Sequence, residues 1–347
     1  MTTATTPLRT PQRLTDSQSA TRFEDLDVLK GMLVFGMLVF HAASVATERH
    51  PEFTRLVAAL GFLHTAFLLL CGFICGSHYT AMTLLQGAPA RLAERALKIF
   101  ALFAVANALL VVSGSRDWRV WLNAGSSPSA AFYHFVQEMD ANVAAFIVLY
   151  YIALLLALAA LFVRSRQPRV AFAVGLLVCA AGAAHSKTLW FLSFGMAGML
   201  LGSWRIRLQP IWELAKKHTW LAPAALIGYL MFPRVVSPSV VISFLRLMLE
   251  TGLWCWTVLG VYHLLLPKPA RRWVLDLGRE TLLAYVAQMF IYELNWALWG
   301  KYIANPYLYY AASFAVCTCL LLLGLQVVTR ISTRSSTAAI AYRLAFH

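Results

Sequence analysis

Several ionisable side chains fall inside stretches of sequence that are otherwise apolar. His41 and His64 lie in the first two of these stretches, and Arg246 and Glu250 lie in a later one. Inside hydrocarbon, a charged side chain costs at least about 2.5–3.5 kcal/mol, so each needs a partner or a role. A histidine there can transfer protons in catalysis or bond a carbonyl of a neighbouring helix, and the sequence leaves both roles open.

The first apolar stretch begins with LDVLKG, which places Asp27 and Lys30 one helical turn apart, where they can pair. His41 follows Asp27 by 14 residues, about 21 Å along a helix. His41 is therefore expected beyond the middle of a bilayer. His64 lies eight residues into the second stretch and approaches the same depth. Two imidazoles at similar depth on consecutive helices favour a shared cavity.

Charged residues of the later stretches form a second set. Arg246 and Glu250 have the i, i+4 spacing that lets side chains meet on one helix face. A structural ion pair and a substrate contact both fit this spacing. Glu293 lies near the outer end of the ninth stretch, with Asn295 close by, and is expected to join one of the two sets of polar residues.

A basic stripe, formed by Arg91, Arg95 and Lys98 at i, i+4 and i+7, opens the third apolar stretch. Basic residues at the inner end of a membrane helix serve as anchors, which does not require them to be aligned. Guanidinium groups also pair with phosphates bidentately, so an aligned stripe favours a polyanionic cytosolic ligand as well. Both interpretations stay open on spacing alone.

The elements that must carry these residues are membrane helices. Residues of the set AVILMFWYC make up 60% of the 347 residues, charged residues make up only 13%, and the mean hydropathy is +0.67. Each apolar stretch approaches the about 20 residues that cross about 30 Å of hydrocarbon, which excludes a soluble protein. The ten stretches are 27–47, 56–79, 93–112, 142–163, 170–184, 188–201, 219–232, 240–266, 281–299 and 307–328.

The sequence thus predicts an all-α, polytopic membrane protein of about ten transmembrane helices. The fifth and sixth stretches are short, and they form either a tight hairpin or one broken helix. Residues 1–22 are polar and are expected to be a disordered cytoplasmic tail. Residues 23–330 are the transmembrane domain and 331–347 a second cytoplasmic tail, with no further domain expected.

The net charge of +14 reflects topology and predicts no nucleic-acid partner. With both termini inside, the inner segments hold 21 of the 29 Lys and Arg residues and the outer segments hold 7, with Arg246 inside a span. This bias favours the N-in, C-in orientation. The six cysteines fall inside apolar stretches and are expected to be packing residues, and no metal site is predicted.

Four segments resemble the transmembrane acyltransferase superfamily, which includes acyltransferase family three and the glucan succinyltransferase and heparan-glucosaminide acetyltransferase branches. Arg22, LDVLKG and His41 are similar to the family's leading helix, with ten residues between Lys30 and His41. The run FLLLCGFICG, residues 67–76, resembles the family's Phe-rich Ser-Gly-Phe run, with Cys71 in place of Ser.

The other two segments are the basic stripe and a late motif. RLAERALKIF resembles the family's Arg-containing entry to the third helix, where Lys98 replaces the commoner Arg. LGRETLLAYVAQ, residues 277–288, is similar to a late signature, but Thr281 replaces Ser and Gln288 replaces the His of many members. The departures weaken assignment to one branch and any role that rests on a late histidine.

The resemblance implies that an acyl group, of the acetyl or succinyl class, passes from cytosolic acyl-CoA to a hydroxyl or amine of an envelope glycan. Arg91, Arg95 and Lys98, with Lys30 nearby, would bind the CoA phosphates. His41 would act as general base on the acceptor or carry the acyl group covalently, and Asp27 would pair with Lys30 or a neighbouring Arg. His64, Arg246, Glu250 and Glu293 would support the site.

The implied protein is a multi-pass enzyme of the bacterial inner membrane, in contact with membrane lipids, acyl-CoA and a glycan acceptor. A transporter or flippase for a sugar-linked or anionic small molecule is the alternative. Such a protein would line a pathway with the intramembrane His and ion pair, and transporter folds often have paired broken helices in two halves. One candidate break, at residues 185–187, is present in the sequence, and no matching break is evident in the first half.

Overall fold

The computed structural model describes residues 24–47, 52–81, 87–112, 145–204, 210, 213–214, 217–231, 239–299, 302–303 and 305–335. Every regular element in these ranges is helical. The helices, numbered here in chain order, are α1 (Glu24–Thr47), α2 (Phe53–Leu60), α3 (Leu63–Ala81), α4 (Ala88–Val112), α5 (Ile147–Val163), α6 (Pro168–Gly182), α7 (Lys187–Ser203), α8 (Ala222–Met231), α9 (Val240–Gly260), α10 (Lys268–Arg279), α11 (Thr281–Trp299) and α12 (Pro306–Arg334).

The helices have the length and composition of membrane spans. Within the described ranges, five helical segments are long and apolar enough to cross a bilayer, and they are Leu26–Ser44, Phe53–Tyr79, Ala88–Val112, Val240–Leu265 and Pro306–Ile331. Three shorter apolar helices, within α5, α6 and α11, add to them. The expected all-α membrane fold is confirmed at this level, while the count of ten spans and the N-in, C-in orientation stay predictions. The predicted tail 1–22 lies outside the described residues.

The two short stretches in the middle of the chain form a helical hairpin. Helices α6 and α7 pack against each other, and Ser186 caps the second by accepting a hydrogen bond from the backbone N–H of Leu189 at 3.4 Å. At the opposite end of the hairpin, Arg169 Nε donates to the carbonyl of Ser203 at 3.1 Å. Of the two forms that the sequence left open, the structure has the hairpin.

Helix α10 is an element that the sequence pattern assigned to a basic inner loop. It is a 12-residue helix that carries Lys268, Arg271, Arg272 and Arg279. Arg271 is turned back onto the end of the preceding segment, where its guanidinium donates to the carbonyls of His263 and Leu266 at 2.8 and 2.9 Å. One buried apolar face and an exposed basic face explain why a helix forms where hydropathy alone indicates a loop.

Glycines bring α3 and α7 into close backbone contact. A Cβ at Gly72 would collide with the carbonyl of Gly195, and one at Gly198 with the carbonyl of Leu69. Gly76 and Gly202 repeat the arrangement one turn further along. Small residues let membrane helices approach until their backbones touch, which is how such helices associate without a hydrophobic driving force.

A second glycine contact joins α1 to α10. A Cβ at Gly31 would meet the carbonyl of Val274, and a Cβ at Gly278 would meet the carbonyl of Asp27. Gly31 ends the LDVLKG segment and Gly278 lies in LGRETLLAYVAQ. These two segments, about 250 residues apart in sequence, therefore touch backbone to backbone.

We expect Gly198→Ala to destabilise the protein by about 1–3 kcal/mol, because the added methyl group would force α3 and α7 apart. Thermal unfolding in detergent, followed by loss of the monodisperse species, measures the effect. Gly324→Ala on α12 is the matched control, because nothing lies within 4 Å of its Cβ position. Equal unfolding temperatures for the two variants would contradict the importance of the glycine contact.

Candidate functional site

A cavity of about 280 Å³ lies between helices α1, α3, α4, α5 and α11. Its wall is apolar along α3 and α5, and basic or polar side chains enter it from the other three helices. The lining residues are Lys30, Phe67, Leu70, Cys71, Ile74, Cys75, Arg95, Lys98, Ile99, Val148, Leu149, Ile152, Leu156, Thr281, Leu282 and Tyr285.

Three cations face this cavity. Lys30 Nζ lies 2.6 Å from Oδ1 of the buried Asp27, the pairing that the sequence predicts. Lys98 Nζ lies 2.8 Å from Oε1 of Glu94, an exposed carboxylate. Arg95 forms no ion pair with any carboxylate in the described ranges. The cavity therefore carries positive charge that an anionic ligand would complement.

The basic stripe predicted from sequence is only partly on the cavity. Arg95 and Lys98 line it, whereas Arg91, one turn earlier on α4, is not among the lining residues. Both arginines are exposed, so it is the cavity wall and not exposure that separates them. Ile99 continues the lining from α4. The face that α4 turns to the cavity thus begins at Arg95.

Helix α3 turns one face to the cavity because its opposite face carries the glycines that pack against α7. Gly72 and Gly76 contact α7, and residues 67, 70, 71, 74 and 75 of the same helix line the cavity. These positions follow the three- and four-residue spacing of one helix face. Close packing on α7 therefore determines that Cys71 and Cys75 face the cations of α1 and α4.

A polar stripe runs along α11 from the cavity towards His41. Thr281, Tyr285, Gln288 and Tyr292 are spaced by four, three and four residues, so they share one helix face. Thr281 and Tyr285 line the cavity. Tyr292 lies further along, where its hydroxyl donates to the carbonyl of Leu38 at 2.7 Å. The stripe covers about 16 Å of helix at 1.5 Å per residue.

His41 lies at the far end of this stripe. Its ring centroid is 6.0 Å from that of Tyr292, and its Nε2 is buried without a hydrogen-bond partner among the described residues. The ring of Phe40 lies against both imidazoles, with centroids 5.3 Å from His41 and 5.4 Å from His64. His64 also forms a hydrogen bond with the backbone of Gly61. The two histidines thus flank one aromatic ring at similar depth.

Other predicted residues lie apart from the cavity. Arg246 and Glu250 form an ion pair within α9, with Nε and Oε1 3.1 Å apart, and neither lines the cavity. Glu250 is buried, so the pair neutralises a charge inside the bundle. The side chain of Glu293 lies outside the described part of α11.

Sequence reasoning did not assign a role to Tyr285, Gln288 or Tyr292. The likeness of the late segment to a family motif concerns the order of its residues and not the helix face that they share. The signal was present, because four polar residues at helical spacing in an otherwise apolar helix mark one face. What faces that stripe is set by packing of α11 on α1 and α12 and is not encoded in the spacing.

Comparison of the chain with family models, with curated proteins and with solved structures finds no match. The fold and the cavity define a helical protein of the membrane type with a cation-lined site inside its bundle. The comparisons assign the chain to no particular family within this class.

We expect a small thiol reagent such as methyl methanethiosulfonate to modify Cys71 faster than Cys317, because Cys71 lines the cavity whereas Cys317 is fully buried on α12. Peptide mass mapping after timed exposure of the detergent-solubilised protein measures both rates in one sample. Equal rates would mean that the cavity does not admit small solutes.

Proposed function

We propose that the chain is an integral membrane acyltransferase that moves an acetyl- or succinyl-class group from cytosolic acyl-CoA to a hydroxyl or amine of an envelope glycan. One observation carries the proposal. The four segments that resemble the transmembrane acyltransferases are separate in sequence, and each contributes to the wall of one cavity. They supply Lys30, the face of α3 around Cys71, the pair Arg95 and Lys98, and the pair Thr281 and Tyr285.

The chemistry of the cavity suits acyl-CoA. Its cations complement the phosphates of CoA, to which guanidinium groups bind bidentately. Its apolar walls on α3 and α5 suit a slender chain such as the pantetheine arm. A volume of about 280 Å³ is at the lower limit of ligand pockets, so the nucleotide would stay at the mouth while the thioester enters.

His41 is the proposed general base. It lies past the cavity along the α11 stripe, where it would remove the proton of an acceptor hydroxyl as that oxygen attacks the thioester. A positioned histidine contributes about 10²–10⁴-fold to a rate. The unpartnered Nε2 of His41 within the described bundle supports this role, because a histidine with a purely structural role is expected to have its buried nitrogen bonded.

The proposal includes the topology. Ten spans with both termini inside, in the inner membrane of a bacterium, would place the cationic mouth at the cytosol, where acyl-CoA is made. His41 would then lie in the outer half of the bilayer, near a glycan acceptor. The distribution of Lys and Arg, 21 in inner and 7 in outer segments, supports this orientation.

We expect His41→Ala to insert and fold normally and to lower acyl transfer by at least about 10²-fold, because the acceptor would lose its base. Mass spectrometry of envelope glycans from cells that express each variant measures the transfer. His185→Ala, in the exposed turn between α6 and α7, is the control and should retain activity. Retained activity in His41→Ala would remove His41 from the mechanism.

We expect Arg95→Ala to raise the KM for acyl-CoA by about tenfold with little change in kcat, because it removes a charge-assisted contact to a phosphate. Arg272→Ala, an exposed basic residue on α10, tests whether any loss of positive charge has this effect. An unchanged KM in Arg95→Ala would return the stripe to membrane anchoring.

A cation-lined cavity also suits a transporter or flippase of an anionic small molecule. The two functions differ in their dependence on CoA. Stabilisation of the purified protein by CoA favours the enzyme, and uptake of a sugar-linked anion into proteoliposomes without CoA dependence favours the transporter.

A further inference from the structure

Gln288 is a buried carboxamide with no hydrogen bond inside the described bundle. Its side chain is 0% exposed, and neither its Nε2 nor its Oε1 has a partner among the described residues. A buried amide normally forms hydrogen bonds, because leaving one unpaired costs about 1–3 kcal/mol. A group retained at that cost indicates a ligand that pairs with it.

The chain offers a direct comparison in Asn107. Of the two buried carboxamides in the described ranges, Asn107 uses both of its N–H donors, since its Nδ2 donates to the carbonyls of Phe103 and Ala145 at 2.9 Å each. Asn107 joins α4 to the start of the α5 segment and has a structural role. Gln288 is equally buried and has no such partner, so packing alone does not account for it.

The position of Gln288 fits a ligand contact. It lies three residues after Tyr285, which lines the cavity, and four residues before Tyr292, whose ring is 6.0 Å from that of His41. Each step is about one turn on the same face of α11. Gln288 is therefore between the cation-lined cavity and the imidazole.

We propose that the Gln288 carboxamide binds the carbonyl oxygen of the acyl thioester and holds that carbonyl between the cavity and His41. This inference rests on the proposed function and deepens it. The side-chain NH2 is a donor, and a donor aimed at this oxygen stabilises the negative charge that develops there during acyl transfer.

The acyl transfer needs only the two substrates and residues of this chain. The acceptor oxygen attacks the thioester carbon while His41 takes the acceptor proton, and the new C–O bond forms. The carbonyl oxygen carries negative charge in the tetrahedral intermediate, where the Gln288 NH2 donates to it. The C–S bond then breaks, and the CoA thiolate leaves and recovers the proton from His41.

The test compares Gln288→Met, which keeps the length of the side chain and removes the amide, with Asn107→Leu. The probes are CoA, acetyl-CoA and succinyl-CoA, each added to the purified full-length protein in detergent. Unfolding temperature reports stability, its shift with each probe reports binding, and glycan acylation in cells reports transfer. Asn107→Leu should lower the unfolding temperature, because it removes two formed hydrogen bonds, and should keep the extra shift given by acyl-CoA over CoA.

Gln288→Met is expected to keep or raise the unfolding temperature without ligand, because no internal bond is lost. It should respond to CoA like the unsubstituted protein, lose about tenfold in affinity for the preferred acyl-CoA, and show at least tenfold less transfer. This separation of stability from acyl recognition is not expected of a residue with a structural role.

Two results would overturn the inference while the proposed function stands. One is a lower unfolding temperature of Gln288→Met together with undiminished acyl-CoA recognition, which would assign the amide to the fold. The other is unchanged affinity and transfer in that variant. If the unsubstituted protein responds to neither CoA nor any acyl-CoA, the proposed function fails first and the inference fails with it.

Discussion

Backbone contact through glycine is the constraint on which the bundle depends. Lipid is as apolar as the helix surfaces, so membrane helices associate by close packing more than by burial of apolar area. Gly72 and Gly198 let α3 and α7 touch, and Gly31 and Gly278 do the same for α1 and α10. Each contact determines which face of its helix remains for the cavity. Lys30 and Cys71 are direct sequence neighbours of two of these glycines, and both line it.

A second constraint is that polar groups in a membrane must be satisfied inside the protein. Many of the hydroxyls here donate to a carbonyl about one turn back in the chain, as Thr65 does to Phe62 and Thr251 to Leu247. The hydroxyl of Tyr292 instead crosses to the carbonyl of Leu38. His41 Nε2 and the Gln288 amide are among the buried polar atoms that lack a partner in the described residues. These two groups lie on either side of Tyr292 along the path from the cavity.

The sequence predicted most of the helices, but it did not predict which side chains of those helices reach the cavity. Long apolar stretches predict α1, α4 and α12 directly, because both their hydropathy and their length match those of a helix that crosses a bilayer. Helix α10 was missed because a short basic amphipathic helix has the composition of a loop. The pairing of Asp27 with Lys30 was predictable from a spacing of three residues. The position of Arg91 away from the cavity wall was not predictable, since it depends on how α4 is rotated against α5.

The sequence by itself determined that the chain is helical and of the membrane type, and it determined which residues share a helix face. These properties are local, because they follow from hydropathy and from the 3.6-residue period of the helix. Only the tertiary structure decided which faces meet. It brought Lys30, Cys71, Arg95 and Tyr285 from four separate segments to one cavity and left Arg246 and Glu250 outside it. Such convergence depends on glycine contacts between helices far apart in the chain, and no spacing within one helix encodes them.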